Sequence, residues 1–163
     1  MRNRFIAVIN IFLASLMLSG LVSCFKDINS EEREMQIIDN FLKNNDIDTE
    51  PTESGLYYIE FIEGTGAQPV AGDTVEIFYK GYFLTGGVFV NNLHSDPYRF
   101  AVGSGAVIEG LDEGISYMKE GGEAMLVVPS SLAYGSEGNY YLGIAGYTPL
   151  AFEIILDKVI PGL

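Results

Sequence analysis

The chain has no tryptophan, one histidine and one cysteine, so most residues that build familiar catalytic and metal centres are missing. The single histidine, His94, precedes Ser95, Asp96 and Pro97 in a polar stretch, which is typical of an exposed loop rather than of a triad or a metal cluster. A phosphate-binding GK[ST] motif is also missing, and Gly103 and Gly105 lack the dinucleotide-binding spacing. We expect no metal and no cofactor, and an apolar, aromatic site.

Basic residues are scarce as well. Nine Lys and Arg stand against 22 Asp and Glu, for a formal net charge of −13. Binding to nucleic acid, and electrostatic attachment to anionic lipid, both need a basic patch. The composition therefore predicts no nucleic-acid partner.

The first residues have the layout of an export signal. Two arginines precede an almost wholly apolar run, 5–22, which leads into Cys24. A membrane-spanning helix is the alternative, because about 20 apolar residues cross a bilayer. The single, unpaired cysteine favours the signal.

The stretch LVSC, 21–24, resembles the signal of bacterial lipoproteins, which is cut before a cysteine that then carries acyl chains. This resemblance implies removal of residues 1–23, lipidation of Cys24, and a protein anchored to a membrane of the bacterial cell envelope.

Residues 24–50 are predicted to form a lipidated tether and a short amphipathic helix. Ser30 is a candidate N-cap followed by two glutamates. Apolar residues then recur at helical spacing: Met35, Ile38, Phe41 and Leu42. We expect this stripe to dock on the main domain or on a second copy of itself. With only one short helix available for dimerisation, we expect a monomer.

Residues 51–163 are predicted to form one domain. Six stretches alternate at the period of a strand: 56–62, 73–83, 88–92, 98–102, 123–128 and 149–159. One helix is expected over 108–118, and the glycine- and tyrosine-rich stretch 130–148 is expected to be a functional or mobile loop. The sum is an α+β fold, an antiparallel sheet of about five strands wrapped around one short helix.

Three stretches carry a resemblance to a known family. They are SGLYYIEFIEGTGAQPVAGDTVEIFYKGYF (54–83), AVGSGAVIEGLDEGISYMKEGGEAMLVVPSSLAYG (101–135) and PLAFEIILDKV (149–159). In this order they resemble the FKBP-type peptidyl-prolyl isomerases over essentially the whole of the globular part. The resemblance implies catalysis of cis/trans rotation about the bond preceding proline, acting on proline-containing segments of exported proteins, with no cofactor.

An apolar site suits that reaction. Rotation must break amide resonance, a barrier of roughly 18–20 kcal/mol, and unassisted X-Pro bonds take about tens to hundreds of seconds to rotate. A planar amide is more dipolar than a twisted one, so a dry pocket disfavours the ground state relative to the transition state.

The resemblance also implies a set of pocket residues. Tyr134 would offer its hydroxyl to the carbonyl before proline, and the Ile108 backbone N–H would be available to another substrate carbonyl. The remaining walls, floor and rim would be formed by Tyr79, Phe89, Val90, Phe100, Phe152, Leu111, Val107 and Ile144.

Three positions depart from the family pattern. Val90 stands where aspartate is usual, Leu111 where tryptophan is frequent, and Ile144-Ala145-Gly146 where the family commonly has I-P-P. These departures keep open an alternative, a catalytically weak module that binds peptides or a partner. Strand alternation further predicts that Phe89 faces one side of the sheet while Val88 and Val90 face the other.

Overall fold

The computed structural model describes residues 30–162, so Cys24 and the predicted signal lie outside the described residues. Within this range the α+β prediction is confirmed. The strands are β1 (Tyr57–Ile62), β2 (Thr74–Phe83), β3 (Val88–Asn91), β4 (Tyr98–Ala101), β5 (Glu123–Val128) and β6 (Leu150–Ile160), and the helices are α1 (30–44) and α2 (Glu109–Tyr117). In the described range, neither helix combines the length and apolar character needed to cross a bilayer.

All strand pairs in the sheet are antiparallel, and the order is β1-β5-β6-β2-β3. The sixth strand, β4, also pairs with β2. It lies along the first half of β2, at Thr74–Ile77, whereas β3 lies along the second half, at Lys80–Tyr82. Two short strands thus share one edge of β2, which is why six predicted strand segments form a sheet five strands wide.

Alternation along the strands gives the sheet two apolar faces. The inner face, which includes Val75, Ile77 and Leu126, packs against α2 and forms the main core. The outer face carries Tyr57 and Val127, and α1 covers it. Strand β5 is therefore shielded from water on both faces, which explains apolar residues at its successive positions.

Two glycines of α2 face β5 and leave no room for a side chain between helix and sheet. A Cβ atom on Gly114 would lie 2.3 Å from Leu126 Cδ1, and one on Gly110 would lie 2.5 Å from Val128 Cγ1. Both glycines are buried. A side chain at either position would force the helix or the opposing side chain of β5 to shift.

Helix α1 docks on its own domain, one of the two alternatives for its apolar stripe. Ile38 is fully buried against Tyr57 and Val127, and Phe41 is half-buried. The stripe differs from the prediction at its first turn, where Met35 is 54% exposed. Glu34 is buried there instead, at 7% exposure, because its carboxylate binds the main domain.

The prediction that Phe89 and Val90 face opposite sides of the sheet is wrong. Gly81 pairs with Val90 and Tyr82 with Val88, so Phe89 is an extra residue in a β-bulge. The bulge turns both Phe89 and Val90 toward the main core, while Val88 stays exposed. Gly81 makes this possible, since a Cβ atom there would lie 2.7 Å from Phe89 Cζ, 2.8 Å from Val90 Cγ1 and 2.9 Å from Phe152 Cε1.

Replacing Gly81 with alanine should therefore harm both stability and the pocket. We expect Gly81→Ala to lower the free energy of unfolding by about 1–3 kcal/mol, as overpacked cores do, measured by urea denaturation. The matched control is Gly72→Ala, where no heavy atom lies within 4 Å of the added Cβ but φ is +95°. The control should lose stability through its backbone yet keep its activity per folded molecule. Equal activity of Gly81→Ala and wild type would contradict the packing described.

Candidate active site

A cavity of about 240 Å³ opens on the inner side of the sheet, beside the bulge. Strands β2, β3, β4 and β6, the loop before α2 and the loop after β5 all contribute to it. Its lining residues are Tyr79, Phe89, Val90, Tyr98, Ala106, Val107, Ile108, Leu111, Tyr134, Leu142 and Phe152. This set contains no Asp, Glu, Lys, Arg, His or Cys, so within the described chain the polar groups of the pocket are tyrosine hydroxyls and backbone.

Aromatic rings in edge and tilted contact form the pocket wall. The ring of Phe152 lies 5.8 Å from that of Phe89 at an interplanar angle of 88°, and 6.5 Å from that of Tyr79. Tyr79 in turn meets Tyr98 edge-on at 6.0 Å. Such geometry is the favourable one for aromatic pairs. The rings therefore hold one another in place around the cavity.

Asn92 fixes Tyr79 by extending the pairing of β2 beyond the end of β3. The Tyr79 N–H donates to Asn92 Oδ1 at 2.6 Å, and the Asn92 N–H donates to the Tyr79 carbonyl at 3.0 Å. The Asn92 side-chain amide also donates to the Ile77 carbonyl. A polar residue at the end of the hairpin thus sets the position of a pocket tyrosine.

The rim before α2 is held by a carboxylate. Asp112 accepts from the Gly103 N–H through both of its oxygens, each at 2.9 Å, and so ties the start of the 103–108 loop to the helix. The helix dipole alone explains an acid at this position, but the structure gives it a specific partner. Ile108 ends this loop as the residue before α2, and its backbone N–H donates to no group of the described chain.

Tyr134 supplies a phenol from the loop after β5. Its hydroxyl has no hydrogen-bond partner within residues 30–162, so it is available to a ligand. Burial raises the pKa of the Tyr134 phenol above its ordinary value of 10.0. Burial also raises the pKa of Tyr79, with smaller contributions from Tyr98 and Tyr134. Both phenols therefore remain protonated and able to donate at neutral pH.

The loop that carries Tyr134 is hydrogen-bonded across its two sides. The Gly138 N–H donates to the Tyr134 carbonyl at 3.0 Å, and the Tyr147 N–H donates to the Gly135 carbonyl at 2.9 Å. Asn139 and Ile144 exchange two further backbone bonds, at 2.7 and 2.9 Å. These bonds fix the loop although Ala145 and Gly146 stand where the family commonly has prolines, and Leu142 of this loop reaches the pocket lining.

Most of the predicted pocket residues come together around this cavity, and two do not. Phe100 and Ile144 are 5% and 3% exposed and belong to the main core, so they support the pocket from behind rather than line it. The residues that line the cavity as predicted are Tyr79, Phe89, Val90, Val107, Ile108, Leu111, Tyr134 and Phe152.

Three lining residues were not predicted: Tyr98, Ala106 and Leu142. Tyr98 is two residues before Phe100 in β4, so strand alternation places both on one face and could have identified it. Ala106 is adjacent to Val107 and could have been included with the rim. Leu142 had no sequence signal, because it ends a short 3₁₀ turn, Tyr140–Leu142, inside an aperiodic loop.

A larger cavity, about 560 Å³, lies between α1 and the segment 129–147. Its lining mixes Glu31 and Glu34 with the hydroxyls of three serines and lacks the converging aromatic rings of the smaller cavity. We therefore assign the active site to the smaller one. In residues 30–162 no group of three or more His, Cys, Asp or Glu side chains is placed to hold a metal ion.

Comparison with known proteins agrees with this geometry. The FKBP_C family, described as FKBP-type peptidyl-prolyl cis-trans isomerase, matches residues 65–157. The FK506-binding protein of Neisseria meningitidis serogroup B is 37% identical over 106 residues, which are 64% of this chain and 96% of that protein. The crystal structure of FkpA from Escherichia coli superposes with a TM-score of 0.72 at 31% identity, over 94% of this chain and 70% of that chain. The chain belongs to the FKBP-type peptidyl-prolyl cis-trans isomerase family.

Some relatives are longer than this chain. The chloroplastic peptidyl-prolyl cis-trans isomerase FKBP16-3 of Arabidopsis thaliana is 40% identical over 116 residues, 69% of this chain but 52% of that protein. The chain thus spans about half of that relative and nearly all of the Neisseria protein.

Because the pocket lining has no side chain that titrates near neutral pH, the catalysed rate constant should not depend on pH there. Because the raised pKa of Tyr134 keeps its phenol neutral, we expect the catalysed rate constant to stay flat from about pH 6 to about pH 9. The measurement is the isomerisation rate of a proline peptide across this range, corrected for the uncatalysed rate. As a positive control, Val90→Asp places a carboxyl in the pocket and should introduce a pH dependence on the acidic side. A wild-type rate that rises or falls as one group titrates within this range would refute the assignment.

Proposed function

We propose that this protein accelerates cis/trans rotation of X-Pro bonds in the pocket lined by Phe89, Phe152 and Tyr134. The observation that carries the proposal is the combination of an aromatic, uncharged cavity with donors that lack partners in the described chain, among them the Tyr134 hydroxyl and the Ile108 N–H. The proline ring fits the aromatic part, and the neighbouring carbonyls fit the donors.

Desolvation supplies part of the rate enhancement in this account. A planar X-Pro amide has a large dipole that water stabilises, and the pocket replaces water with the rings of Tyr79, Phe89 and Phe152. The twisted amide has less charge separation and loses less on entering such a site. No bond is made or broken, so no nucleophile or proton transfer is needed.

The hydrogen-bond donors orient the peptide. The Tyr134 hydroxyl donates to the carbonyl of the residue before proline, and the Ile108 N–H donates to a carbonyl further along the substrate. Holding both sides of the proline leaves the X-Pro bond as the torsion that is free to turn, which is catalysis by positioning. Val90 and Leu111 keep the remaining walls apolar.

The substrates we assign are proline-containing segments of exported proteins, met at the cell envelope. This rests on the lipoprotein-like residues 21–24, with cleavage before Cys24 and acylation of its thiol. The sequence supports an anchored protein whose isomerase domain reaches its substrates from a bacterial membrane. Burial of Ile38 by the same chain supports a monomer, since it occupies the apolar side of α1.

The activity is tested with a protease-coupled peptide assay at low temperature, where uncatalysed rotation is slow. We expect wild type to accelerate cis-to-trans conversion, and Tyr134→Phe to lower kcat/KM about three- to tenfold through loss of one hydrogen bond. Tyr141→Phe is the matched control, because Tyr141 is 96% exposed and does not line the pocket.

Two outcomes would count against the proposal. No acceleration at high protein concentration, with peptide binding still seen by titration calorimetry, would establish the alternative of a binding module that does not catalyse. Equal loss of activity in Tyr134→Phe and Tyr141→Phe would remove the role assigned to the Tyr134 hydroxyl.

The lipid anchor is tested by expressing the full-length chain in a bacterium fed an alkyne-labelled fatty acid. Wild type should incorporate the label and start at Cys24 by mass spectrometry, since acylation requires the thiol that begins the mature chain. Cys24→Ser should stay unlabelled, whereas Ser23→Ala should be labelled like wild type. A wild-type protein that retains residues 1–23 would contradict the anchor.

A further inference from the structure

A buried carboxylate connects α1 to the loop that carries Tyr134. Glu34, on the first turns of α1, is 7% exposed and lies against Ser130, just after β5. Its Oε1 accepts from the Ser130 backbone N–H, and its Oε2 accepts from the Ser130 hydroxyl at 2.7 Å. One carboxylate therefore fixes both donors of one serine, across 96 residues of sequence.

Ser130 in turn holds both neighbours of Tyr134. Its carbonyl oxygen accepts from the Ala133 N–H at 2.9 Å and from the Gly135 N–H at 2.7 Å. Tyr134 lies between these two anchored residues, and its own carbonyl accepts from the Gly138 N–H. A shift of Ser130 would thus pass directly to the backbone on either side of Tyr134.

The burial of Glu34 makes this connection sensitive to α1. A buried carboxylate is costly unless it is fully hydrogen-bonded, and both of its oxygens are satisfied here by Ser130. Charge-assisted bonds of this kind are shorter and stronger than neutral ones. The pair therefore forms when α1 is docked, and it constrains Ser130 more tightly than water would.

We infer that Glu34 is a positioning residue for the isomerase site, through which docking of α1 sets the placement of the Tyr134 hydroxyl. The inference rests on the proposed isomerase activity and adds to it a function for α1. Although α1 contributes no residue to the pocket lining, its docking tunes catalysis by way of Ser130. Substitutions of residues that act on a site only through intermediate contacts change the activity of that site by moderate factors.

The test is a double-mutant cycle on purified full-domain protein with the peptide assay. Glu34→Gln keeps the shape of the side chain but gives up the charge and one acceptor, and we expect kcat/KM about three- to tenfold below wild type. In the Tyr134→Phe background, the same change should cost much less, because the hydroxyl that Glu34 positions is already gone. Glu32→Gln, which removes the same charge from an exposed position on α1, should leave kcat/KM unchanged.

Thermal melts separate positioning from loss of fold. If Glu34→Gln proves too unstable, Ser130→Ala removes only the hydroxyl half of the contact and should give a smaller loss of the same kind. Losses from Glu34→Gln and Tyr134→Phe that multiply independently would overturn the inference and leave a purely structural role. If wild type is active and Glu34→Gln has the same kcat/KM as Glu32→Gln, the inference is overturned too. An inactive wild type would instead reject the proposed function.

Discussion

The pocket depends on the missing side chain of Gly81. Three residues from two neighbouring strands, Phe89, Val90 and Phe152, come within 3 Å of where its Cβ would lie. That gap lets the bulged strand β3 lean over β2 and brings Phe89 into edge contact with Phe152. Aromatic packing then fixes Tyr79 and encloses an uncharged cavity. The apolar chemistry of the site follows from this local backbone approach.

The two faces of the sheet have different roles but are linked. The inner face holds α2 and the pocket, and the outer face holds α1. The link runs around the end of β5, where Glu34 binds Ser130 and Ser130 holds the residues beside Tyr134. A helix that could have been only a spacer is thereby connected to the donor that we assign to substrate binding.

Sequence reasoning predicted the strands, α2 and most of the pocket, because these depend on periodicity and on motifs with fixed spacing. It failed where a single tertiary contact or a bulge breaks the periodic pattern of a strand or helix. The bulge at Phe89 defeats strict alternation, so Val90 faces the same side as Phe89 and lines the pocket, as the family resemblance implied and the strand period did not. Glu34 is buried because of a partner 96 residues away, which no local pattern shows. Ile144 was expected at the pocket, but its two bonds to Asn139 turn it into the core.

Cleavage before Cys24 and its acylation stay predictions, since that part of the chain lies outside the described residues.

Val90 stands where the family usually has aspartate, so the pocket has no carboxylate among its lining residues. The central claim is that an apolar site accelerates rotation by desolvating and orienting the peptide, with no proton transfer in the rate-limiting step. The most direct test compares the catalysed isomerisation rate of one proline peptide in H₂O and in D₂O at equivalent acidity. We predict clear acceleration over the uncatalysed reaction and equal catalysed rates in the two solvents. A catalysed rate that is markedly slower in D₂O would contradict the account.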